Sequence, residues 1–256
     1  YLRLDGGRAV IEMASSAGLP LVGDRRDPRI TSTYGVGQQI RHAVEQGSTQ
    51  ILLGLGGSCT NDGGCGCAAA LGVRFLDRAG QAFVPTGGTL DQIAHIDVSG
   101  ARQLLQTLKL TAMCAIDNPM HGPTGASYIF GPQKGADPAM VEFLDGQLKA
   151  LDAVIQRELH RAVADVPGAG AAGAFGAGIL AFLDGTLCPG IEAVLDLVDF
   201  DRKLKDCDLV ITGEGRFDSQ SIRGKVISGG SKRARETNVP VVVVAGSVDK
   251  EMESVR

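Results

Sequence analysis

No block of Lys or Arg and no basic stripe runs through the chain, and the net charge is −4. The electrostatic footprint of a nucleic-acid binder is therefore missing. No apolar stretch reaches about 18 residues, which excludes a helical membrane span. There is no CxxC pair and no His beside Cys59, Cys65 and Cys67, so a metal cluster is not supported. Together with Cys114, Cys188 and Cys207 they read as reduced thiols and small core filler, in keeping with a cytoplasmic protein. No GxxxxGK[ST] loop and no GxSxG elbow occurs, which argues against a Walker-type nucleotide site and an elbow-type hydrolase. Gly168-Ala169-Gly170-Ala171-Ala172-Gly173 fits GxGxxG by letter. It follows a helix end and Pro167 rather than a strand, so the context a dinucleotide site requires fails.

What the chain has in plenty is glycine, 36 of 256 residues. It is clustered at the ends of apolar runs rather than spread as low complexity. Tyr1 to Arg8 look like a hairpin tip entering a strand, not a start methionine or a signal peptide, and 251–256 break off inside a helical pattern. Both ends suggest a piece of something longer.

Apolar runs and punctuation give an α/β pattern. Ala9 to Ala14, Gln50 to Gly54, Lys109 to Ile116, Asp208 to Thr212 and Val239 to Ala245 read as strands. Val73 to Leu76 and Gln81 to Val84 flank Asp77-Arg78-Ala79-Gly80 as a hairpin. A helix capped by Thr31, Ser32 or Thr33 runs to about Glu45, and a long helix follows Pro138. A small-residue helix follows Gly64, and another helix runs from about Gln220 to Glu236. The unbroken valines of the last strand suit a parallel strand buried on both faces. A domain boundary is expected near residue 196, separating 1–195 from 196–256.

Three strands read as ending in glycine, at Gly54, Gly213 and Gly246. Open α/β sheets bind ligands beyond the carboxyl ends of their strands, and backbone N–H groups there can hold an anion. The loop Gly56-Gly57-Ser58-Cys59-Thr60-Asn61-Asp62 follows one strand, and Gly213-Glu214-Gly215-Arg216 with Asp218 and Ser219 follows another. Lys134 and Lys225 can add positive charge. Phosphoryl transfer calls for this set: donors for phosphates, carboxylates for Mg²⁺, and groups that orient the attacking hydroxyl. The cofactor-binding candidates are Gly56, Gly57, Ser58, Thr60, Lys134, Gly213, Gly215 and Lys225. The metal candidates are Asp62 and Asp218. Asp117, Arg216, Asp218 and Glu214 are the catalytic candidates, an Arg fork suiting a substrate carboxylate. Of the four histidines, only His121, in the loop after Asp117, is a candidate for substrate contact.

These blocks, in order, resemble the type I glycerate kinase family. The matching pieces are Ala9-Val10-Ile11-Glu12-Met13-Ala14, the loop 56–64, Ala70 to Asp77, Asp117-Asn118-Pro119, and Phe130-Gly131-Pro132-Gln133-Lys134-Gly135-Ala136. Gly168 to Gly173, Pro189-Gly190-Ile191-Glu192, and Ile211 to Gln220 complete them. The resemblance implies two α/β domains, one Rossmann-like and one inserted, with the active site between them; 1–195 would be mostly the inserted domain. It implies ATP and Mg²⁺ as cofactors, glycerate as substrate and 2-phosphoglycerate as product. No nucleic acid or membrane partner is implied, and a homodimer is allowed. The family's Pro-Asp-Ser-Phe-Lys-type opening, its Gly-Gly-Glu-Gly segment and its C-terminal portion are absent from this sequence. Ala115 stands where the family usually carries Asp. These departures raise a second expectation, a catalytically decayed domain that binds a sugar acid as a sensor.

Overall fold

A computed structural model describes residues 1–217 and 226–249. The chain divides into two compact units, Tyr1–Leu187 and Cys188–Arg256.

The first unit runs β1 (Leu2–Leu4), β2 (Arg8–Glu12), α1 (Ala14–Ala17), α2 (Leu19–Val22), α3 (Tyr34–Glu45), β3 (Gln50–Gly54), α4 (Cys65–Ala70), β4 (Arg74–Leu76), β5 (Ala82–Phe83), β6 (His95–Asp97), α5 (Ser99–Leu105), β7 (Lys109–Met113), α6 (Ala126–Phe130), α7 (Pro138–Leu159), α8 (Ala171–Phe182) and β8 (Thr186–Cys188). Its main sheet has the order β1-β2-β3-β7-β8. β2, β3 and β7 are mutually parallel, and their registers bring Glu12, Gly54 and Met113 into one line at the carboxyl edge. β1 is the antiparallel arm of the N-terminal hairpin. The expected hairpin of β4 and β5 forms, and β6, which the sequence pattern did not show, pairs on the other side of β4.

The core lies between this sheet and its helices. Ile11, Ile51, Leu53 and Ala112 are buried from the sheet, and Ile40, Leu71, Leu148, Leu151 and Phe175 from the helices. The apolar positions that recur at helical spacing are Val141, Leu144, Leu148, Leu151, Ile155, Leu159 and Ala162; the first five are buried in α7, Leu159 is half-buried at its end, and Ala162 lies beyond the helix and is exposed. Asp137 caps it, accepting from the Met140 N–H at 2.8 Å, and Pro138 fills the first turn, where a missing N–H costs nothing.

α8 departs from the ordinary glycine-rich helix. Ala172, Gly173 and Ala174 have φ of 56°, 71° and 66°, a left-handed turn within the helix. A Cβ on Gly173 would sit 2.0 Å from the Thr60 carbonyl oxygen, and one on Gly178 would sit 2.2 Å from that of Gly63. The second glycine cluster is thus a seam that lets α8 lie directly against the loop before α4. This accounts for its spacing without a dinucleotide.

The second unit comprises α9 (Gly190–Leu197), α10 (Phe200–Leu204), β9 (Val210–Phe217), α11 (Val226–Glu236) and β10 (Val241–Val248). β9 and β10 are parallel, with Val243 beside Thr212 and Ser247 beside Arg216. Arg233 of α11 gathers Glu192, Asp196 and Asp201 from α9 and α10, tying the three helices together. Two expectations are corrected. Gly213 and Gly246 do not end their strands, because both lie inside the β9–β10 ladder. The valines of β10 are not buried on both faces: Val242 and Val244 are exposed, as is Ile211 of β9, because a two-stranded sheet covered by helices on one side leaves the other open among the described residues.

Candidate functional site

Most of the candidates in the first unit converge on the loop that leaves β3. Gly56 and Gly57 are exposed at the carboxyl edge of the sheet, and Gly57 adopts φ 69°. From there the chain turns inward, and Ser58, Cys59, Thr60, Asn61 and Asp62 are all buried. Backbone bonds fix the turn. The Cys59 N–H donates to the Ala17 carbonyl at 2.9 Å, the Leu19 N–H to Gly57 at 3.0 Å, and the Gly63 N–H to Gly173 at 3.1 Å. The loop is clamped between α1–α2 and the left-handed turn of α8.

Asp62 ends this loop and is fully buried. Its Oδ2 accepts from the Thr33 N–H (2.8 Å), the Thr33 hydroxyl (2.9 Å) and the Gly66 N–H (3.3 Å). Its Oδ1 accepts from the Gly64 N–H at 3.1 Å. Burial pushes the carboxyl upward, while the Thr33, Gly64 and Gly66 donors hold it down, and burial is the larger effect. The expected metal ligand is therefore a carboxylate that joins the starts of α3 and α4, with no oxygen turned to solvent. Thr33 does sit before α3, but its hydroxyl serves Asp62 and the Cys67 N–H rather than its own helix.

Lys134 is also interior, at 1% exposure. It lies in the short 3₁₀ turn Pro132–Lys134, held under the end of α6, and its ammonium donates to the Thr60 carbonyl at 2.7 Å. An ammonium carries three donors, and Thr60 is its one hydrogen-bonding acceptor among the described residues. Burial lowers the amine to about 8, against smaller upward pulls from Cys59 and Asp62. Asn61 stands next to Thr60, its Nδ2 donating to Ser127 Oγ at 3.1 Å, while its own buried Oδ1 has no partner.

Asp117 lies on the neighbouring loop, after β7, and is exposed, as is Ala115. The loop is fixed through Asn118, whose carbonyl accepts from Gly170 N–H at 2.9 Å and whose Nδ2 donates to Thr124 at 2.8 Å. His121 turns its Nε2 to Asp152 Oδ2 at 3.1 Å, a side-chain pair that anchors the loop on α7.

Gly213, Glu214, Gly215 and Arg216 belong to the second unit and lie in extended strand, so these four residues form no anion-cradling loop. The reason is register: Gly213 pairs beside Val244 and Glu214 beside Ala245, continuing the ladder four residues past the expected end. Arg216 faces Asp249, its Nε donating to Oδ1 at 2.9 Å and its Nη2 to Oδ2 at 3.0 Å. Asp218 and Lys225 lie outside the described residues. Among those described, no cluster of three His, Cys, Asp or Glu is arranged to hold a metal, and no helix is long and apolar enough to cross a membrane.

Arg26, Asn61 and Ser127 were not singled out from the sequence. Their roles depend on contacts between residues 66 and 107 positions apart, for which a single sequence carries no signal.

A family model described as "Glycerate kinase family" matches residues 1–256. Among curated proteins, the chain is 48% identical over 255 residues to a glycerate kinase of Halalkalibacterium halodurans, covering 98% of this chain and 67% of that protein. It is 47% identical over 245 residues to glycerate 2-kinase of Escherichia coli, covering 95% and 64%. A crystal structure of a protein assigned as glycerate kinase 2 from Salmonella typhimurium LT2 superposes with a TM-score of 0.88 at 46% identity, covering 96% of this chain and 66% of that one. The chain thus spans about two thirds of the length of the relatives it matches.

Proposed function

The chain belongs to the glycerate kinase family, and from that premise we propose that its protein transfers the γ-phosphoryl group of ATP to a hydroxyl of glycerate. The hydroxyl oxygen forms the new P–O bond, the bond from the γ-phosphorus to the β,γ-bridging oxygen breaks, ADP leaves, and the hydroxyl proton passes to a base or to water. The product proposed is 2-phosphoglycerate. The observation that carries the reading is the identity of 46–48% to relatives named as glycerate kinases, spread over nearly the whole chain. It favours catalysis over the decayed sensor.

The loop at 56–60, open at Gly56 and Gly57 and backed by the Lys134 ammonium, is proposed to hold the phosphates. Backbone N–H groups and a buried cation suit an anion in a water-poor setting. Asp117, exposed beyond β7, is proposed to face the substrate, and the Arg216 fork to bind its carboxylate by exchanging Asp249 for the ligand. Glu214 and Asp218 remain proposed for the same step, and Lys225 for the phosphates. Mg²⁺ held with the nucleotide needs only one or two protein carboxylates. Asp117, which is exposed, suits that need better than Asp62, whose oxygens are taken; Asp218 remains proposed as a ligand from the sequence. When bound, the ion neutralises charge on the transferring phosphoryl oxygens.

An ADP-release assay with ATP, Mg²⁺ and D-glycerate tests the reading, with ³¹P NMR of the product to place the phosphate. ADP release that depends on glycerate is expected; none, with intact folded protein, overturns it. A cytoplasmic setting and a homodimer are proposed alongside, to be checked by cell fractionation and light scattering.

A further inference from the structure

Lys134, in the turn at 132–134, holds the loop at 58–61 through the Thr60 carbonyl, and a second cation, Arg26, packs on that same turn from the segment after α2. Its Nη1 donates to the Gln133 carbonyl at 3.1 Å and its Nε to the Gly23 carbonyl at 3.0 Å. A Cβ on Gly135 would lie 2.8 Å from both the Cβ and the carbonyl oxygen of Arg26. Arg26 therefore lies across the residues on either side of Lys134. Both charges are felt by Cys59, whose thiol burial pushes up and Lys134 and then Arg26 pull down.

Neither cation has a carboxylate partner among the described residues. The Arg26 guanidinium has two carbonyls, and the Lys134 ammonium has one. Asp62, a carboxylate whose charge acts on Lys134, already serves Thr33, Gly64 and Gly66. Removing an ammonium from water without a counter-charge is costly. Two positive charges held only by carbonyls describe half of an ion pair whose other half comes from outside the chain.

We infer that Arg26 and Lys134 together form an anion site that takes a phosphoryl group, with Arg26 as a phosphate-binding residue in its own right. Charge decides the class: two cations match the two negative charges of a terminal phosphoryl group, whereas a substrate carboxylate carries one. Neutral carbonyls are weaker partners for a guanidinium than phosphoryl oxygens, so the ligand exchanges for Gly23 and Gln133. The inference deepens the proposed kinase reading and rests on it for the identity of the phosphate carrier.

The test is calorimetric titration of the 256-residue chain with inorganic pyrophosphate, repeated with Arg26→Gln and Lys134→Met and in the presence of D-glycerate. Saturable binding is expected, weakened about tenfold or more by either substitution, as loss of a charged hydrogen bond predicts, and unaffected by D-glycerate. Arg26 is exposed, so Arg26→Gln keeps the question open to an answer even if Lys134→Met does not fold. No pyrophosphate binding, equal binding by Arg26→Gln, or displacement by D-glycerate overturns the inference. Arg26-dependent pyrophosphate binding without ADP release would sink the kinase reading alone. Glycerate-dependent ADP release with Arg26-independent pyrophosphate binding would sink this site alone.

Discussion

Thr33 and Asp62, 29 residues apart, meet through two hydrogen bonds to one carboxylate oxygen, at 2.8 Å from the backbone N–H and 2.9 Å from the hydroxyl. With Gly64 and Gly66 on the same side chain, Asp62 is the knot between α3, α4 and the candidate phosphate loop. Replacing it by Asn points an amide NH₂ at N–H donors that need an acceptor. A loss of about 2 kcal/mol is expected in urea unfolding, and about 3 kcal/mol for Asp62→Ala. If Asp62→Asn keeps the unfolding midpoint but raises the Mg²⁺ requirement of the reaction, Asp62 is a metal ligand after all.

Lys134 makes a prediction in pH. Its amine is held at about 8 in the folded protein, against 10.5 ordinarily. Between those values the unfolded chain still carries a proton that the folded chain has released, so the Lys134 contribution to stability rises with pH across the window. The rise is about 3 kcal/mol in full. Cys65 and Cys67, pushed up by burial, act in the opposite direction. The difference between wild type and Lys134→Met, from urea unfolding at pH 7 and pH 10, isolates the lysine. Anion affinity should fall over the same range as the ammonium is lost. A difference that stays flat from pH 7 to 10 contradicts the burial argument.

The α/β class, the hairpins of β1–β2 and β4–β5, α3 and α7 were legible because hydrophobic periodicity and turn residues act locally: Pro138 marks the start of α7 before any contact is known, whereas Thr33 fails as the cap expected for α3 because its hydroxyl serves Asp62. Where the sequence misled, distant pairing overrode local chemistry. Gly213 and Gly215 look like a turn, yet the ladder with β10 carries them through as strand. Asp62 looks like a ligand on a glycine loop, yet Thr33 and the start of α4 claim it. Lys134 was legible as a cation but not as a buried one, because its burial depends on α6 and on Thr60, 74 residues away. Arg26 had no local signature.

The left-handed turn at the start of α8 can be probed in both directions. Gly173→Ala forces a Cβ toward the Thr60 carbonyl, where 2.0 Å separates them. The carbonyl is backbone and held by Lys134, so it cannot give way cheaply. A loss of about 3 kcal/mol is expected. Ala172→Gly should act oppositely, gaining up to about 1 kcal/mol, because Ala172 holds φ 56° at a cost glycine does not bear, offset by the greater freedom of glycine when unfolded. Thermal midpoints of the two variants should move apart; if both fall by similar amounts, the turn is not strained at Ala172.

The Arg216–Asp249 pair separates a structural from a functional role. Both side chains are exposed, at 65% and 37%, and exposed pairs add little to stability. Asp249→Asn should therefore move the thermal midpoint by no more than about 2 °C. If the fork binds the substrate carboxylate, weakening its internal partner should lower KM for glycerate while leaving KM for ATP in place. Arg216→Ala should raise KM for glycerate about tenfold or more. Arg216→Lys should fail to restore it, because an ammonium cannot present two parallel donors to a planar carboxylate. Should Asp249→Asn and Arg216→Ala both leave KM for glycerate unchanged, the pair serves only to fasten the ends of β9 and β10, and the carboxylate of the substrate must be held elsewhere.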